Sequence, residues 1–421
     1  MRLSSDLTQR PWFSRKLLVV GIVLPVILFF LSVLALAPNA PWWDEYSSTI
    51  GYLSYPAPER FCHLLDFHNE HRLFFPRLVF EALNLIPGRF PFLVCILVGD
   101  CLLLSYVALL GATYRRAFGL VCFLPFIWIF LDLANCENTL WGLTAIQSHS
   151  VLLFSLASTL AFARREARGR FVLSLLLALL ATASSASGLG IWPTLGLVSL
   201  VGARPWRTRL RELSIVGLVG VVVVGLYMKG FFAATSEHTA DYPWSVPKAI
   251  DFLLCFLGNV APIAALARAL GVVSLVATAY VLFNWRRIAD EPMFAFFLYL
   301  HTITASGVLV RSCLPGAGLY YRLEIIAISI FCCEAYLVMR LLSGTRLFSW
   351  MHKLMLYGIP AAVVVNLLAL SFGASFLLDR KREIESGYRA WPADRTRLPA
   401  PDVKFADLMM QRYVDRLAGG N

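Results

Sequence analysis

Asp44 and Glu45 stand side by side in the run Trp42-Trp43-Asp44-Glu45-Tyr46, directly behind a long apolar stretch. A carboxylate held at a bilayer surface beside aromatic rings is partly stripped of water, which raises its pKa and suits it to general-base work. The plainer reading is a solvated acidic pair at a helix end. Further on come Asp66-Phe67-His68-Asn69-Glu70-His71-Arg72 and then Arg77. On a helix, His68, His71 and Arg72 share one face, being three and four residues apart. Two histidines so placed could take a metal with Glu70 or Asp44, although the order is not the His-Glu-x-x-His of zinc proteases. The favoured reading is a hydrogen-bonding cluster that orders the loop and grips hydroxyls or a phosphate. A third group holds Glu137, Asn138, Trp141-Gly142, Gln147 and His149. A fourth holds Arg311, Tyr320-Tyr321-Arg322 and Glu324. Guanidinium forks fit phosphate bidentately, and snorkelling toward lipid headgroups is the plain alternative for each arginine.

The elements that carry these groups are apolar helices. Hydrophobic residues make up 58% of the 421-residue chain and charged residues 15%, with a mean hydropathy of +0.69. Soluble domains run at about 45–50% and about 25%. A soluble enzyme, a disordered chain and an outer-membrane barrel are all excluded by that balance. The expected fold is an all-α polytopic membrane protein. A crossing takes roughly 20 apolar residues, and eleven spans are expected, at 17–37, 90–113, 117–134, 139–163, 171–186, 188–203, 213–228, 263–284, 292–310, 323–339 and 354–378. Segments 73–87 and 247–260 read as interfacial. Ala35-Leu36-Ala37 resembles a cleavage site, but Pro38 follows, so the first span reads as an uncleaved anchor. More than half of the 37 Lys and Arg residues fall on segments expected to face inward, which places the N-terminus in the cytoplasm and the C-terminal tail outside. The net charge of +11 is therefore read as topology, with no nucleic-acid partner. Residues 1–378 form the transmembrane domain and 379–421 a short outward tail. Of nine cysteines, Cys62, Cys136 and Cys313 fall in outward loops, where two of them could pair. All four polar groups converge on the outward face, which has no ATP. Inside the spans, Asp100, His149, His301 and Glu334 read as helix–helix hydrogen-bonding groups.

The arrangement resembles the GT-C superfamily of integral-membrane glycosyltransferases. Asp44-Glu45 stands where that superfamily carries an acidic pair, in the first outward loop directly after span one. The His68-Asn69-Glu70-His71-Arg72 stretch, the Glu137-Asn138, Trp141-Gly142 and Gln147 segment, and Ser187-Gly188 with Trp192-Pro193 are similar to a bacterial branch of it. The likeness runs through order and position of motifs from span one to about span ten. The large outward soluble domain of many members is missing, which leaves acceptor recognition open. The resemblance implies a sugar donor linked to a polyprenyl phosphate, a cell-envelope glycan, lipid or protein as acceptor, and a site on the extracytoplasmic face of a bacterial inner membrane. Asp44 would be the base, with Glu45 orienting the acceptor or sharing that role. Arg311, Tyr321 and Arg322 would bind the donor phosphate. His68, Glu70, His71, Arg72, Glu137, Asn138 and Gln147 would bind substrate. Direct displacement implies inversion, and the scheme requires no metal or other cofactor. The competing readings are a transporter or flippase, and a polymerase or ligase, for lipid-linked glycans.

Overall fold

The computed structural model describes residues 15–202, 204–231, 244–261, 263–313, 317–319 and 321–418, without the side chains of Ala317, Tyr321 and Phe372. Among these the chain is helical apart from one two-stranded hairpin. The helices are α1 Arg15–Leu36, α2 Gly51–Leu53, α3 Ala57–His63, α4 Phe74–Asn84, α5 Phe92–Ala117, α6 Leu124–Phe130, α7 Cys136–Thr139, α8 Gly142–Phe162, α9 Arg168–Ser184, α10 Ile191–Val201 and α11 Trp206–Met228. They continue as α12 Val246–Leu257, α13 Ala264–Phe283, α14 Pro292–Arg311, α15 Tyr321–Leu342, α16 Arg346–Ala390 and α17 Val403–Ala418.

Among the described residues, eight helices are long and apolar enough to cross a membrane: α1, α5, α8, α11, α13, α14, α15 and α16. The expected span 117–134 is broken. Its helix stops at Phe130, and the segment Leu133–Thr139 turns away by 43°, so the pair makes a ninth candidate when counted as one. The expected spans 171–186 and 188–203 correspond to α9 and α10, joined through a 3-10 turn at Ala186–Gly190. Both are shorter than the roughly 20 residues a crossing takes. The interfacial segments emerge as α4 and α12, each one-sided in its apolar residues.

In a lipid setting, helices associate through close packing of small residues. Gly99 of α5 meets α8 so closely that an added Cβ would lie 2.4 Å from the Ala145 Cβ. His149 fastens the same crossing, its Nδ1 donating to the Gly99 carbonyl at 2.9 Å. Asp100 departs from the sequence expectation. It is fully buried, and neither carboxyl oxygen has a hydrogen-bond partner among the described residues. All nine cysteines are free, including Cys62, Cys136 and Cys313.

α16 holds 45 residues, a length of about 67 Å, against a hydrocarbon core of about 30 Å. Its charged last turns, with the tail, continue beyond the bundle at the end where α1 finishes. There Lys381 Nζ donates to the Ala35 carbonyl at 2.9 Å. Tyr388, Trp391, Met409, Met410 and Tyr413 pack with Tyr46, Ile50, Leu53 and Phe90 into a second apolar core, separate from that of the bundle. The tail thus caps the loop that follows α1. At the opposite end, Glu212 binds Arg165 and Arg204, each at 2.8 Å.

Candidate functional site

The loop after α1 is held in shape by Glu45. This side chain is 2% exposed. Its Oε2 accepts from the Trp42 N–H at 2.8 Å, and its Oε1 from the Leu143 N–H at 3.0 Å, in the first turn of α8. Free N–H groups at a helix start call for such an acceptor. Burial pushes the Glu45 carboxyl up to about 8, against the backbone donors that pull it down. Asp44, its neighbour, points the other way and keeps about a third of its side chain exposed. Burial raises the Asp44 carboxyl, but contact with His68 and the charges of His68 and Arg322 bring it below its ordinary value. Asp44 is therefore ionised at neutral pH, while Glu45 is largely protonated.

Residues 67–72 form a β-hairpin rather than a helix. β1 (Phe67–His68) pairs with β2 (His71–Arg72), His68 opposite His71 and Phe67 opposite Arg72. Asn69 opens the two-residue turn with φ 51°, a left-handed conformation that asparagine tolerates. The period of two replaces the expected three-and-four spacing. The two histidines still share a face, but Arg72 leaves it. Arg72 instead binds the Leu65 carbonyl just before the hairpin and the carbonyls of Tyr227 and Lys229 at the end of α11. The Tyr227 hydroxyl receives the Arg72 N–H and donates to the Glu70 carbonyl, both at 3.0 Å. Arg72 and Tyr227 thus anchor the hairpin.

On the histidine face, His68 Nε2 lies 4.0 Å from Asp44 Oδ2, too far for a direct hydrogen bond. His71 Nδ1 accepts from the Ala186 N–H at 3.2 Å, so its hydrogen sits on Nε2, which faces Glu70 Oε1 at 3.5 Å. Gln147 Nε2 donates to Ser185 Oγ at 3.3 Å in the same turn. Arg311 forms an ion pair with Glu70. Burial and the nearby arginines hold the His71 ring down at about 4. Glu70 is raised by burial but brought down to about 2 by the charges of His71 and Arg311. With His71 neutral at pH 7, Arg311 is the cation that keeps Glu70 ionised.

Arg322 begins a second grouping. Its Nε binds Glu137 Oε2 at 3.2 Å and its guanidinium lies 4.2 Å over the Trp141 ring. Asn138 is fully buried and donates to the Arg322 carbonyl at 3.0 Å. A cleft of about 390 Å³ opens beside Arg322, between Trp42, Trp43 and Trp141 on one side and Phe376 and Arg380 of α16 on the other. Arg380 stands 4.6 Å over the Trp42 ring. Asp379 and Glu383 complete the rim. The field of Arg322 reaches Asp44 and His71, which ties the two groupings together.

The chain matches no family model, no curated protein and no solved structure.

Of the residues singled out in the sequence, Asp44, His68, Glu70, His71 and Arg311 gather in one cluster. Glu137, Asn138 and Arg322 gather in the adjoining one, while Gln147 reaches the first through Ser185. Tyr321 opens α15, and its side chain lies outside the described residues. No group of three or more His, Cys, Asp or Glu placed to hold a metal ion occurs among the described residues. Sequence reasoning passed over Arg380 and Tyr227, and read Ser185 as part of a close-packing turn. Arg380, the first basic residue after an apolar run ending in Phe376-Leu377-Leu378, carried a usable signal. Tyr227 carried none, because only folding brings the end of α11 to the hairpin.

Proposed function

We propose that this protein is a membrane glycosyltransferase of the GT-C type, moving a sugar from a polyprenyl-phosphate donor to an acceptor on the extracytoplasmic face of a bacterial cytoplasmic membrane. The observation that carries the reading is one ionised carboxylate, Asp44, a third exposed, next in the chain to Trp43 of a tryptophan-lined cleft and under the field of Arg322, which lines the same cleft. Such a cleft suits an amphiphile. Tryptophan faces stack on a sugar, guanidinium groups bind phosphate, and Phe376, which is 65% exposed, offers the prenyl chain an apolar lip.

In this scheme the acceptor hydroxyl gives its proton to Asp44 as its oxygen attacks the anomeric carbon. The bond from that carbon to the phosphate oxygen breaks, and polyprenyl phosphate leaves with its charge beside Arg322 and Arg380. The product is inverted. Glu45, largely protonated and bound to backbone N–H groups, holds the loop and does not act as a base. Glu70 engages Arg311, which leaves Arg311 to set the hairpin rather than to meet the donor alone.

Asp44→Asn tests the base. Transfer from a radiolabelled polyprenyl-phosphate sugar in isolated membranes should fall about 10²–10⁴-fold, with the protein accumulating at its usual level. Undiminished transfer would remove Asp44 from the mechanism. Buried, unpartnered Asp100 favours a second reading, a transporter of lipid-linked glycans, since acids inside a bundle mark transport paths. On that reading Asp100→Asn, and not Asp44→Asn, would abolish movement of a labelled lipid-linked glycan across vesicles.

A further inference from the structure

Four polar side chains meet inside the bundle, apart from the cleft and the histidine cluster. Ser274 and Thr278 lie one turn apart on α13, His301 is on α14 and Glu334 on α15. Ser274 is fully buried and Glu334 is 3% exposed. Glu334 Oε1 lies 2.8 Å from both Ser274 Oγ and Thr278 Oγ1. Thr278 Oγ1 lies 2.9 Å from His301 Nε2, and His301 Nδ1 lies 2.9 Å from the Phe297 carbonyl oxygen.

The hydrogens along this chain can be counted. A carbonyl oxygen only accepts, so His301 Nδ1 carries a hydrogen. Thr278 has one hydroxyl hydrogen to give. If the His301 ring is neutral, Nε2 is a lone pair and takes that hydrogen, and the contact between Thr278 and Glu334 then requires a hydrogen on Glu334. If Glu334 is a carboxylate, it takes the Thr278 hydrogen, and Nε2 must carry its own. Both arrangements are neutral overall and hold one more proton than a carboxylate beside a neutral imidazole. That last state would press two lone pairs together and leave an uncompensated charge in the apolar interior, which is costly.

We propose that Ser274, Thr278, His301 and Glu334 form a proton-binding site within the helix bundle. The proton rests on Glu334, and the Thr278 hydroxyl is the relay between it and His301. Transfer balances atom by atom. Glu334 gives its hydrogen to Thr278 Oγ1 as Thr278 gives its own to His301 Nε2, leaving carboxylate and imidazolium. The neutral form is the resting one, because separated charges inside the bundle are poorly solvated. Of the titratable groups on the surrounding helices, Arg340 binds Glu291, Asp251 binds Arg268, Tyr106 binds Ser329 and Tyr114 binds the Cys332 carbonyl, while Asp100 of α5 has no hydrogen-bond partner among the described residues.

Infrared difference spectra of the detergent-solubilised full chain at neutral pH read the site directly, whatever reaction the protein catalyses. Wild type minus Glu334→Gln should show the carbonyl-stretch band of a protonated carboxylic acid. A pair of carboxylate bands in its place would overturn the assignment. The glutamine amide nitrogen, in the place of Oε1, can donate one hydrogen to each of the Ser274 and Thr278 hydroxyls, so the helices keep their contacts. Thr278→Val should shift the same acid band to higher frequency, and Thr278→Ser should restore it. A band that Thr278→Val leaves unmoved would overturn the relay. Should Glu334→Gln fail to accumulate, the two Thr278 variants still locate the proton, because a band that neither contains nor responds to them is not that of Glu334 and would overturn the proposal.

Discussion

Two adjacent carboxylates, Asp44 and Glu45, end in opposite protonation states because one meets His68 and the field of Arg322 while the other is buried among backbone amides. The difference has a sign in pH. The Glu45 carboxyl, raised to about 8 from an ordinary 4.5, keeps its proton where the unfolded chain has lost it. Its contribution to stability is complete below about pH 4.5 and drains away as pH rises to about 8. His71 runs the other way. Its ring is held at about 4 from an ordinary 6.5, so its contribution is complete above about pH 6.5 and is lost as pH falls toward 4. Glu45→Gln should therefore flatten the decline in thermal midpoint of the detergent-solubilised protein between pH 6.5 and 8, and leave the acid-side decline intact. A wild-type midpoint that does not fall across that alkaline window would show that Glu45 is ionised throughout. From the sequence alone the pair could not be divided into base and support, since neither the Leu143 amide nor the distant Arg322 is visible in a local motif.

The hairpin is the element on which the histidine cluster depends. Its six residues make two ladder pairs, too few to hold a ribbon on their own. Tyr227, the carbonyls that Arg72 binds and the Ala186 amide on His71 supply the rest. Asn69, at φ 51°, decides whether the turn forms. Asn69→Gly should leave stability and the His71 environment nearly unchanged, because glycine enters the left-handed region freely. Asn69→Val should cost roughly 1–3 kcal/mol, read as a lowered thermal midpoint with a shifted His71 imidazole resonance. Equal behaviour of the two variants would mean that the turn conformation does not matter. The run His-Asn-Glu-His-Arg reads equally well as one helical turn or as strand–turn–strand. Its length is too short for periodicity to choose, and the choice comes from α11, more than 150 residues away in the chain.

At the scale of the whole molecule, the tail closes over the loop that carries Asp44. Met410 is fully buried against that loop, whereas Leu408, two residues earlier on α17, is 44% exposed. Met410→Ala should cost roughly 2–5 kcal/mol of local stability, seen as faster proteolysis between α16 and α17, and on the proposed function it should reduce sugar transfer by loosening the Trp42–Asp44 loop. Leu408→Ala should change neither. Intact transfer with a released tail would separate the cap from the site. The same scale explains the span count. The expected crossing at 117–134 carries one charged residue, and that residue, Asp132, breaks it by accepting the Ala134 amide at 2.9 Å and starting a new turn.

Composition and apolar run length were enough to establish a helical chain built for a membrane, because those properties are sums over residues and depend little on where each one ends. That α1's end and the tail lie at one end of the bundle is shown by Lys381 on the Ala35 carbonyl, a contact made by folding. The role of each polar side chain was another matter. Whether a carboxylate is a base, a cap or a proton carrier depends on which amide, guanidinium or hydroxyl stands within about 3 Å of it. For Asp44, Glu45, Glu70 and Glu334, the deciding partners come from other helices, and only packing brings them near.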